Sequence, residues 1–534
     1  MSNDTAVRRD IGAVALMFTG LGSIIGSGWL FGAWRAAQLA GPGAIYAWII
    51  GAVVILFVAL TYAELGAMFP ESGGSVRYGY YSHGSLVGFL AGWAAWIAVV
   101  SVIPVEAEAS VQYMSSWPWD WAHELYVHAA SGQGELTLPG LSIAAALVVV
   151  YFLLNFWSVK VFADTNSAIT FFKLIVPAGT AIALMCSGFH WENFHVGIHG
   201  GRHVGNAAAI LTAVATSGIV FSYNGFQSPV NLAGEARNPG RSVPFAIFGS
   251  IALSTVVYLM LQFAFLGTVA PEHLHEGWAA LEYSSPFAQL ALALNLNWLA
   301  ILLYADAFVS PSGTGTTYTA TTARMIYAME RSGTVPKVLG RVHPRFGIPR
   351  PAMWFNLLVS FIFLFFFRGW GKLAAVISVA TIITYLVVPI SVMVLRRTAP
   401  DMHRPLRVPG LSVLAPMAFV LATLMLFWAR WPHTGQIMLL MILPLPVYLY
   451  YQAKTDWLDF GRQLRGACWL IAYLAAIVVL SWAGSKEFDG HDYIRYGWDQ
   501  LCVAVTALGF YFWGVRSGWR TPGLEAIETQ LHKS

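Results

Sequence analysis

Gly22-Ser23-Ile24-Ile25-Gly26-Ser27-Gly28-Trp29-Leu30-Phe31-Gly32 lies inside an apolar segment, Ile11 to Leu39, that is long enough to cross a bilayer. Four glycines interrupt that segment where a spanning helix should be most regular. In hydrocarbon an unpaired backbone group costs several kcal/mol, so a broken helix persists only when buried in protein or lining a polar cavity. The break is therefore a candidate binding site. A half-helix restarting at about Ser27 aims free N–H groups and a positive dipole end at an anion, while the carbonyls that end the first half face a cation. One α-amino acid carries both charges. Close helix packing also uses glycine, but it needs small residues four apart on one face and not Ser and Gly in succession. A dinucleotide-binding loop is excluded by the spacing and by the apolar helix, rather than strand, that precedes it.

Charged residues make up 10% of the chain and hydrophobic residues 57%; a soluble domain carries about 25% charged residues. The composition reads as a polytopic membrane protein. Cys186, Cys468 and Cys502 show neither metal-ligand spacing nor a disulfide framework. No nucleic-acid signature appears, because the basic residues sit in short loops rather than on a stripe. Residues 1–10 are polar, with Arg8 and Arg9, and no small-residue cleavage site follows the first apolar run, so that run is expected to be retained.

Apolar stretches fall at 11–39, 44–69, 86–116, 140–158, 161–187, 206–234, 244–268, 297–328, 351–367, 371–395, 409–430, 433–451, 465–483 and 498–515, about fourteen transmembrane helices with no room for a soluble domain. With the N-terminus cytoplasmic, alternate loops collect the basic residues: Arg237 and Arg241; Arg331 to Arg350; Arg396 to Arg407; Lys454 to Arg465; Arg516 and Arg520. Segment 117–139 has Asp120, Glu124 and Glu135 and no Lys or Arg. The bias predicts both termini cytoplasmic in the plasma membrane.

The sixth stretch is interrupted like the first, at Phe221-Ser222-Tyr223-Asn224-Gly225-Phe226. Five spans separate the two breaks, an odd number, so the second half runs upside down relative to the first. Paired interrupted segments in two inverted halves point to a transporter's central site.

With these residues placed, the chain resembles the amino acid, polyamine and organocation (APC) transporter superfamily over about residues 10 to 410. The likeness rests on Gly26-Ser27-Gly28-Trp29; Tyr62-Ala63-Glu64-Leu65-Gly66; Pro70-Glu71-Ser72-Gly73-Gly74 with Tyr78; Asn155 before Lys160; and Gly234-Glu235, Asn238-Pro239 and Arg241 to Pro244. At Tyr81-Ser82-His83-Gly84, Asn155-Phe156-Trp157-Ser158-Val159-Lys160 and Ser310-Pro311 it is most similar to the bacterial aspartate:proton symporters.

The resemblance implies an all-α integral membrane protein with a five-plus-five inverted repeat. Its parts would be an N-terminal tail (1–10), a first repeat (11–187), a second repeat (206–396), additional helices (397–515) and a C-terminal tail (516–534). It implies Ile24, Gly26, Ser27, Gly28, Phe221, Ser222, Asn224 and Gly225 as substrate-binding residues: Ser27 and Gly28 for the carboxylate, and carbonyls near Ile24, Phe221 and Asn224 for the amino group. Phe221 and Tyr318 would gate the site; many relatives carry Trp where this chain has Phe221. The implied function is proton-coupled symport of an amino acid, an acidic one such as aspartate, with the proton as coupling ion and no cofactor. A neutral or cationic amino acid, or exchange, is the alternative.

Four ionisable residues inside the spans need a role or a partner, because a charge there costs about 2.5 to 3.5 kcal/mol. Lys173, mid-way along span five, is a candidate proton carrier; in proton-coupled relatives a matching lysine replaces a sodium ion, and its neighbours here would be Gly22 or Ile25 and the Ser310 to Thr314 stretch. Glu106 in span three and Asp306 in span eight are proton-linked carboxylates or pairing partners. Glu108 points some 200° away from Glu106 on a helix, so both cannot face one cavity. Arg35 snorkels, pairs with Glu106 or attracts an acidic side chain. Glu64, Glu71 and Arg77 read as gating or loop-ordering residues, or as solvated charges. His190, His195, His199 and His203 would suit a metal on a helix, but Gly197, Gly200 and Gly201 argue for a solvated loop. Histidines lie almost wholly outside the spans, so no nucleophile–base pair is available for an intramembrane enzyme, and no selectivity-filter motif suggests a channel.

Overall fold

A computed structural model of the protein describes residues 11–71, 74–127, 134–157, 160–199, 206–343, 348–454, 457 and 459–531, with the side chains of 157, 160–169, 437, 530 and 531 outside that description. The N-terminal tail, Ser72 and Gly73, Ser158 and Val159, Gly200, Gly201, His203 and Arg345 lie outside the described residues.

Helix dominates, and the described strands are one two-residue hairpin, Tyr126–Val127 with Glu135–Leu136. Every apolar stretch read from the sequence is occupied by helix, and the first is broken where expected, into Ala13–Ile24 and Gly28–Ala40. The sixth is broken twice, giving Ala207–Thr216, Ile219–Tyr223 and Ser228–Asn231. Eight described helical segments are long and apolar enough to cross a bilayer, nine if Trp498–Ser517 is counted with the helix after it, against fourteen stretches in the sequence. The shortfall has physical causes. Ala13–Ile24 and Ala207–Thr216 are halves of broken helices, and Asn297–Arg331 carries a polar run from Ser310 to Thr322 that protein rather than lipid surrounds.

Burial sorts the helices into layers. The apolar windows of Ser85–Met114 and Trp370–Thr398 are 89% buried, whereas those of Leu138–Phe156, Thr170–Ser187 and His433–Ala453 are 39%, 39% and 29% buried, so the first two form the centre and the others the rim. Rim faces carry apolar side chains outward: Tyr46, Ile49, Val53 and Leu56 recur at helical spacing on one exposed face. Such a stripe suits lipid and not water. The most extensive helix packing joins Pro239–Thr268 to Ala44–Met68 and to Ala13–Ile24, and Val102–Met114 to Asn297–Arg331, the seventh span with the second and first and the eighth with the third.

On the side of the molecule that carries Ile11, here the N-side, ion pairs tie the helices. Glu64, fully buried, accepts from Arg396 Nε at 2.7 Å and Nη2 at 2.5 Å and from the Val408 N–H at 2.9 Å. It anchors the second span to the end of Trp370–Thr398. Glu71 pairs with Arg77 at 2.5 Å, and the Tyr81 hydroxyl donates to the same carboxylate at 3.1 Å. The short helix Tyr78–His83 that follows is held by the C-terminal part of the chain: Ser82 Oγ meets Ser391 Oγ at 2.9 Å, His83 Nε2 meets Gly514 O at 2.9 Å, and Trp519 Nε1 and Thr521 Oγ1 donate to the carbonyls of His83 and Tyr81. The final spans thus serve as a seat for that helix. On the opposite side His190 and His195 bound a 3-10 turn, Trp191–His195, rather than an α-helix.

Removing one partner from a buried ion pair costs ~3–5 kcal/mol because the other charge stays buried. Glu64→Ala should therefore lower the thermal unfolding temperature of the detergent-purified protein by several degrees, with Glu71→Ala, at a pair 15–23% exposed where Glu64 is fully buried, lowering it less.

Candidate functional site

The first helix break leaves carbonyls at the end of Ala13–Ile24 without partners in their own helix, and three buried side chains take them. Lys173 Nζ donates to Gly22 O at 3.1 Å, Tyr318 reaches Ser23 O at 3.4 Å and Tyr258 reaches Ile24 O at 3.1 Å. The second break is served by the same two phenols. Tyr258 lies 2.9 Å from Ser222 O, and Tyr318 lies 3.5 Å from Asn224 O. Each tyrosine therefore stands between one carbonyl of each break, with one proton to donate to either. The two breaks are clamped to each other.

Glycine permits that approach. Gly225 has φ +117°, a conformation side chains rarely adopt, and a Cβ there would stand 2.8 Å from the Ser23 carbonyl carbon and oxygen. At Gly26 a Cβ would stand 2.5 Å from Glu106 Oε1.

The N-terminal end of Gly28–Ala40 faces an acid from within the protein. The Ser27 N–H donates to Glu106 Oε2 at 2.8 Å, and Ser27 Oγ accepts from Trp370 Nε1 at 2.9 Å. Between the breaks lies a closed hollow of about 10 Å³, room for about one water. Ile24, Gly26, Glu106, Phe221, Asn224 and Tyr318 are among its lining residues. Ser27, Gly28, Ser222 and Gly225 flank it: the Ser222 hydroxyl donates to Gly218 O at 2.8 Å within its own segment, against which Gly28 packs.

Lys173, 2% exposed, also donates to Thr314 Oγ1 at 2.6 Å, so it joins spans one, five and eight through the residues expected. The carboxylates nearest its charge are Glu106 and Asp306. Asp306, fully buried, accepts from Ser310 Oγ at 2.6 Å, and its other oxygen has no hydrogen-bond partner among the described residues. Asn155 ties the fourth span to the eighth through Thr316 O at 2.8 Å. Glu108 faces away from the hollow, as its helical angle requires, and neither of its oxygens has a partner among the described residues.

Arg35 does not pair with Glu106. Its guanidinium lies 4.2 Å over the Trp34 ring and donates to Gln38 Oε1 at 3.0 Å. It lines a second cavity, about 790 Å³, on the side opposite the N-side, with Gln38, Ser217, Phe363, Gly371 and Lys372. Trp370 separates this vestibule from the hollow: its neighbours Gly371 and Ser217 line the vestibule, while its ring packs on Phe31 at 4.8 Å and edge-on to Phe221 at 5.9 Å. Sequence reading named Phe221 and Tyr318 as gating residues and did not single out Trp370, whose ring from the tenth span lies edge-on to Phe221, a juxtaposition that no spacing within one helix reveals. Tyr258 was missed as well; its only sequence signal is a polar tip inside an apolar span.

An amino acid permease family model matches residues 11–448. A glutamate/serine transporter of Bacillus subtilis (strain 168) is 57% identical over 530 residues, covering 98% of this chain and 97% of that protein. An aspartate-proton symporter of the same organism is 35% identical over 523 residues, 97% and 98% of the two chains. The mouse (Mus musculus) large neutral amino acids transporter small subunit 2 is 28% identical over 505 residues, 90% and 88%.

Leaving buried carbonyls unsatisfied costs ~1–3 kcal/mol. Tyr258→Phe, which keeps the ring and removes the hydroxyl, should weaken substrate binding roughly tenfold and lower thermal stability together, read by ligand-induced shifts in unfolding temperature.

Proposed function

This chain belongs to the amino acid permease family, a multi-pass membrane transporter and not an enzyme, and from that premise we propose that it is a proton-coupled symporter of acidic amino acids working by alternating access. The observation that carries the reading is the meeting of two helix breaks around a closed hollow, with the Lys173 amine on the carbonyl end of one of them. A zwitterion matches this polarity, its carboxylate toward the start of Gly28–Ala40 and its ammonium toward the carbonyls of Ile24 and Asn224. Glutamate, aspartate and serine are the substrates to try first, since relatives that the chain matches over nearly its full length are named for them.

The proposed organisation is two inverted repeats, 11–187 and 206–396, followed by additional helices over 397–515. The pairing of span two with seven and three with eight supports it, because an axis relating the halves brings equivalent elements together. The N-side, rich in Arg and Lys, is assigned to the cytoplasm and the vestibule side to the exterior. The hollow is too small for an amino acid, so binding requires Trp370 to swing clear of Ser27, or the N-side to part.

Lys173, Glu106 and Asp306 form the proposed coupling group. Lys173 bridges the moving first span and the eighth, so its protonation state changes how firmly they are joined. In proteoliposomes with an inward-directed pH gradient, labelled glutamate or aspartate should accumulate. Lys173→Ala should retain substrate binding within a few fold and abolish accumulation; undiminished accumulation would remove the lysine from the mechanism. Arg35 carries the acidic preference: among the described residues no carboxylate lies within 4.0 Å of it. Arg35→Gln should raise KM for glutamate and aspartate by about tenfold, one charge-assisted contact, while leaving that for serine within about twofold.

A further inference from the structure

The substrate seat holds a carboxylate that belongs to the protein. Glu106 is fully buried on helix Val102–Met114, and its Oε2 accepts the Ser27 N–H at 2.8 Å. Its Oε1 has no hydrogen-bond partner among the described residues, although it faces the hollow beside Gly26. A cap alone would be met by a neutral hydroxyl or amide on the preceding turn. Here the cap is an acid supplied from another helix, with one buried oxygen left unpaired, and it occupies the position an incoming carboxylate needs. The Ser27 N–H can serve one such group at a time, and two ionised carboxylates at one helix start repel each other.

We propose that Glu106 competes with the substrate's own α-carboxylate for the start of helix Gly28–Ala40, and that its protonation is the event that yields the seat. This rests on the reading of the hollow as the carrier's substrate site. Ionised, Glu106 holds the Ser27 N–H and keeps the hollow closed. A proton arriving from the side of higher acidity binds the carboxylate, weakens its hydrogen bond and lets the side chain turn away, and the substrate carboxylate takes the N–H. On the other side the proton leaves to solution, Glu106 ionises again and displaces the substrate. One proton and one amino acid then cross together, because neither the ionised empty seat nor the doubly anionic seat favours occupancy.

The groups facing Glu106 are consistent with this role. Lys173 from helix Lys160–Ser187 is one of them, with Asp306 from Asn297–Arg331 also near the lysine; Tyr151, Tyr258 and Tyr318 are the remaining titratable neighbours. No arginine stands among them to hold the carboxylate permanently charged.

The test compares wild type with Glu106→Gln, using glutamate and serine as probes in purified protein and in proteoliposomes. Between about pH 6 and about pH 8.5, wild-type affinity for both probes should fall about tenfold or more, the loss of one charge-assisted hydrogen bond. The variant should bind both as tightly at the alkaline end as wild type does at the acid end, exchange them across the membrane and fail to concentrate them on a pH gradient. A variant with the wild-type pH slope overturns the proposal. Should the variant fail to fold, calorimetry on wild type in two buffers of different ionisation heat decides. About one proton taken up per serine bound at alkaline pH supports the exchange of carboxylates, and no uptake overturns it. Absence of any amino acid binding or uptake by wild type would sink the carrier reading itself, a different result from an unchanged slope in a working variant.

Discussion

A helix broken inside a membrane strands backbone carbonyls and N–H groups where no water can reach them, and the side chains around the two breaks of this protein answer that constraint. The carbonyls of Gly22, Ser23 and Ile24 are met by Lys173, Tyr318 and Tyr258, and those of Ser222 and Asn224 by the same two tyrosines. The Ser27 N–H is met by Glu106. These partners come from the third, fifth, seventh and eighth spans, so the breaks can exist only where four other helices converge on them. The site is a consequence of that convergence. Polar side chains that would each be costly alone are retained because each satisfies a main-chain group whose orphaning would cost ~1–3 kcal/mol.

The same economy explains the layering. Burial is sorted by face as well as by helix: the windows of Ser85–Met114 and Trp370–Thr398 are the most buried, whereas Thr170–Ser187, 39% buried, turns Lys173 inward and Phe171 and Ile175 outward. Ala44–Met68 likewise turns Tyr46, Ile49, Val53 and Leu56 outward. Asn297–Arg331 is the extreme case. Its Ser- and Thr-rich middle lets it offer Asp306, Ser310, Thr314 and Tyr318 inward, and it loses the hydropathy of a conventional span in consequence.

Much of this was legible in the sequence because it is encoded locally. Gly26-Ser27-Gly28 and Asn224-Gly225 disrupt apolar runs, and both are breaks; Lys173 stands alone in a span, and its neighbours proved to be Gly22 and Thr314. What escaped is encoded between distant segments. Trp370 meets Ser27 across 343 positions and Tyr258 meets Ile24 across 234, and each residue taken singly looks like an ordinary aromatic of an apolar helix. The side-chain direction of Glu106 was readable only relative to Glu108. That the acid would point at Ser27 rather than Arg35 depends on the rotation of its helix, which packing sets and periodicity does not. The count of spans diverged for a different reason: Gly28–Met68 runs on as one segment across two stretches, Arg350–Phe366 and Leu411–Phe427 are 17 residues each, and Asn297–Arg331 has a polar middle.

The two sides of the hollow are closed by different means, and the difference bears on how the molecule moves. Toward the vestibule the barrier is one ring layer: Trp370, held by a single hydrogen bond to Ser27 and by contacts with Phe31 and Phe221. Aromatic pairs contribute ~0.5–1.5 kcal/mol each beyond burial, and Trp370, 2% exposed, adds its own burial to that barrier. Toward the N-side the helices are tied by the buried Glu64–Arg396 pair, by Glu71 with Arg77 and Tyr81, and by the C-terminal segment seated on Tyr78–His83. Parting these requires several helices to move as bodies. Because Trp370 bonds to the same serine whose N–H Glu106 holds, the lid and the seat share a residue: whatever displaces Glu106 loosens Ser27, and with it the anchor of the lid.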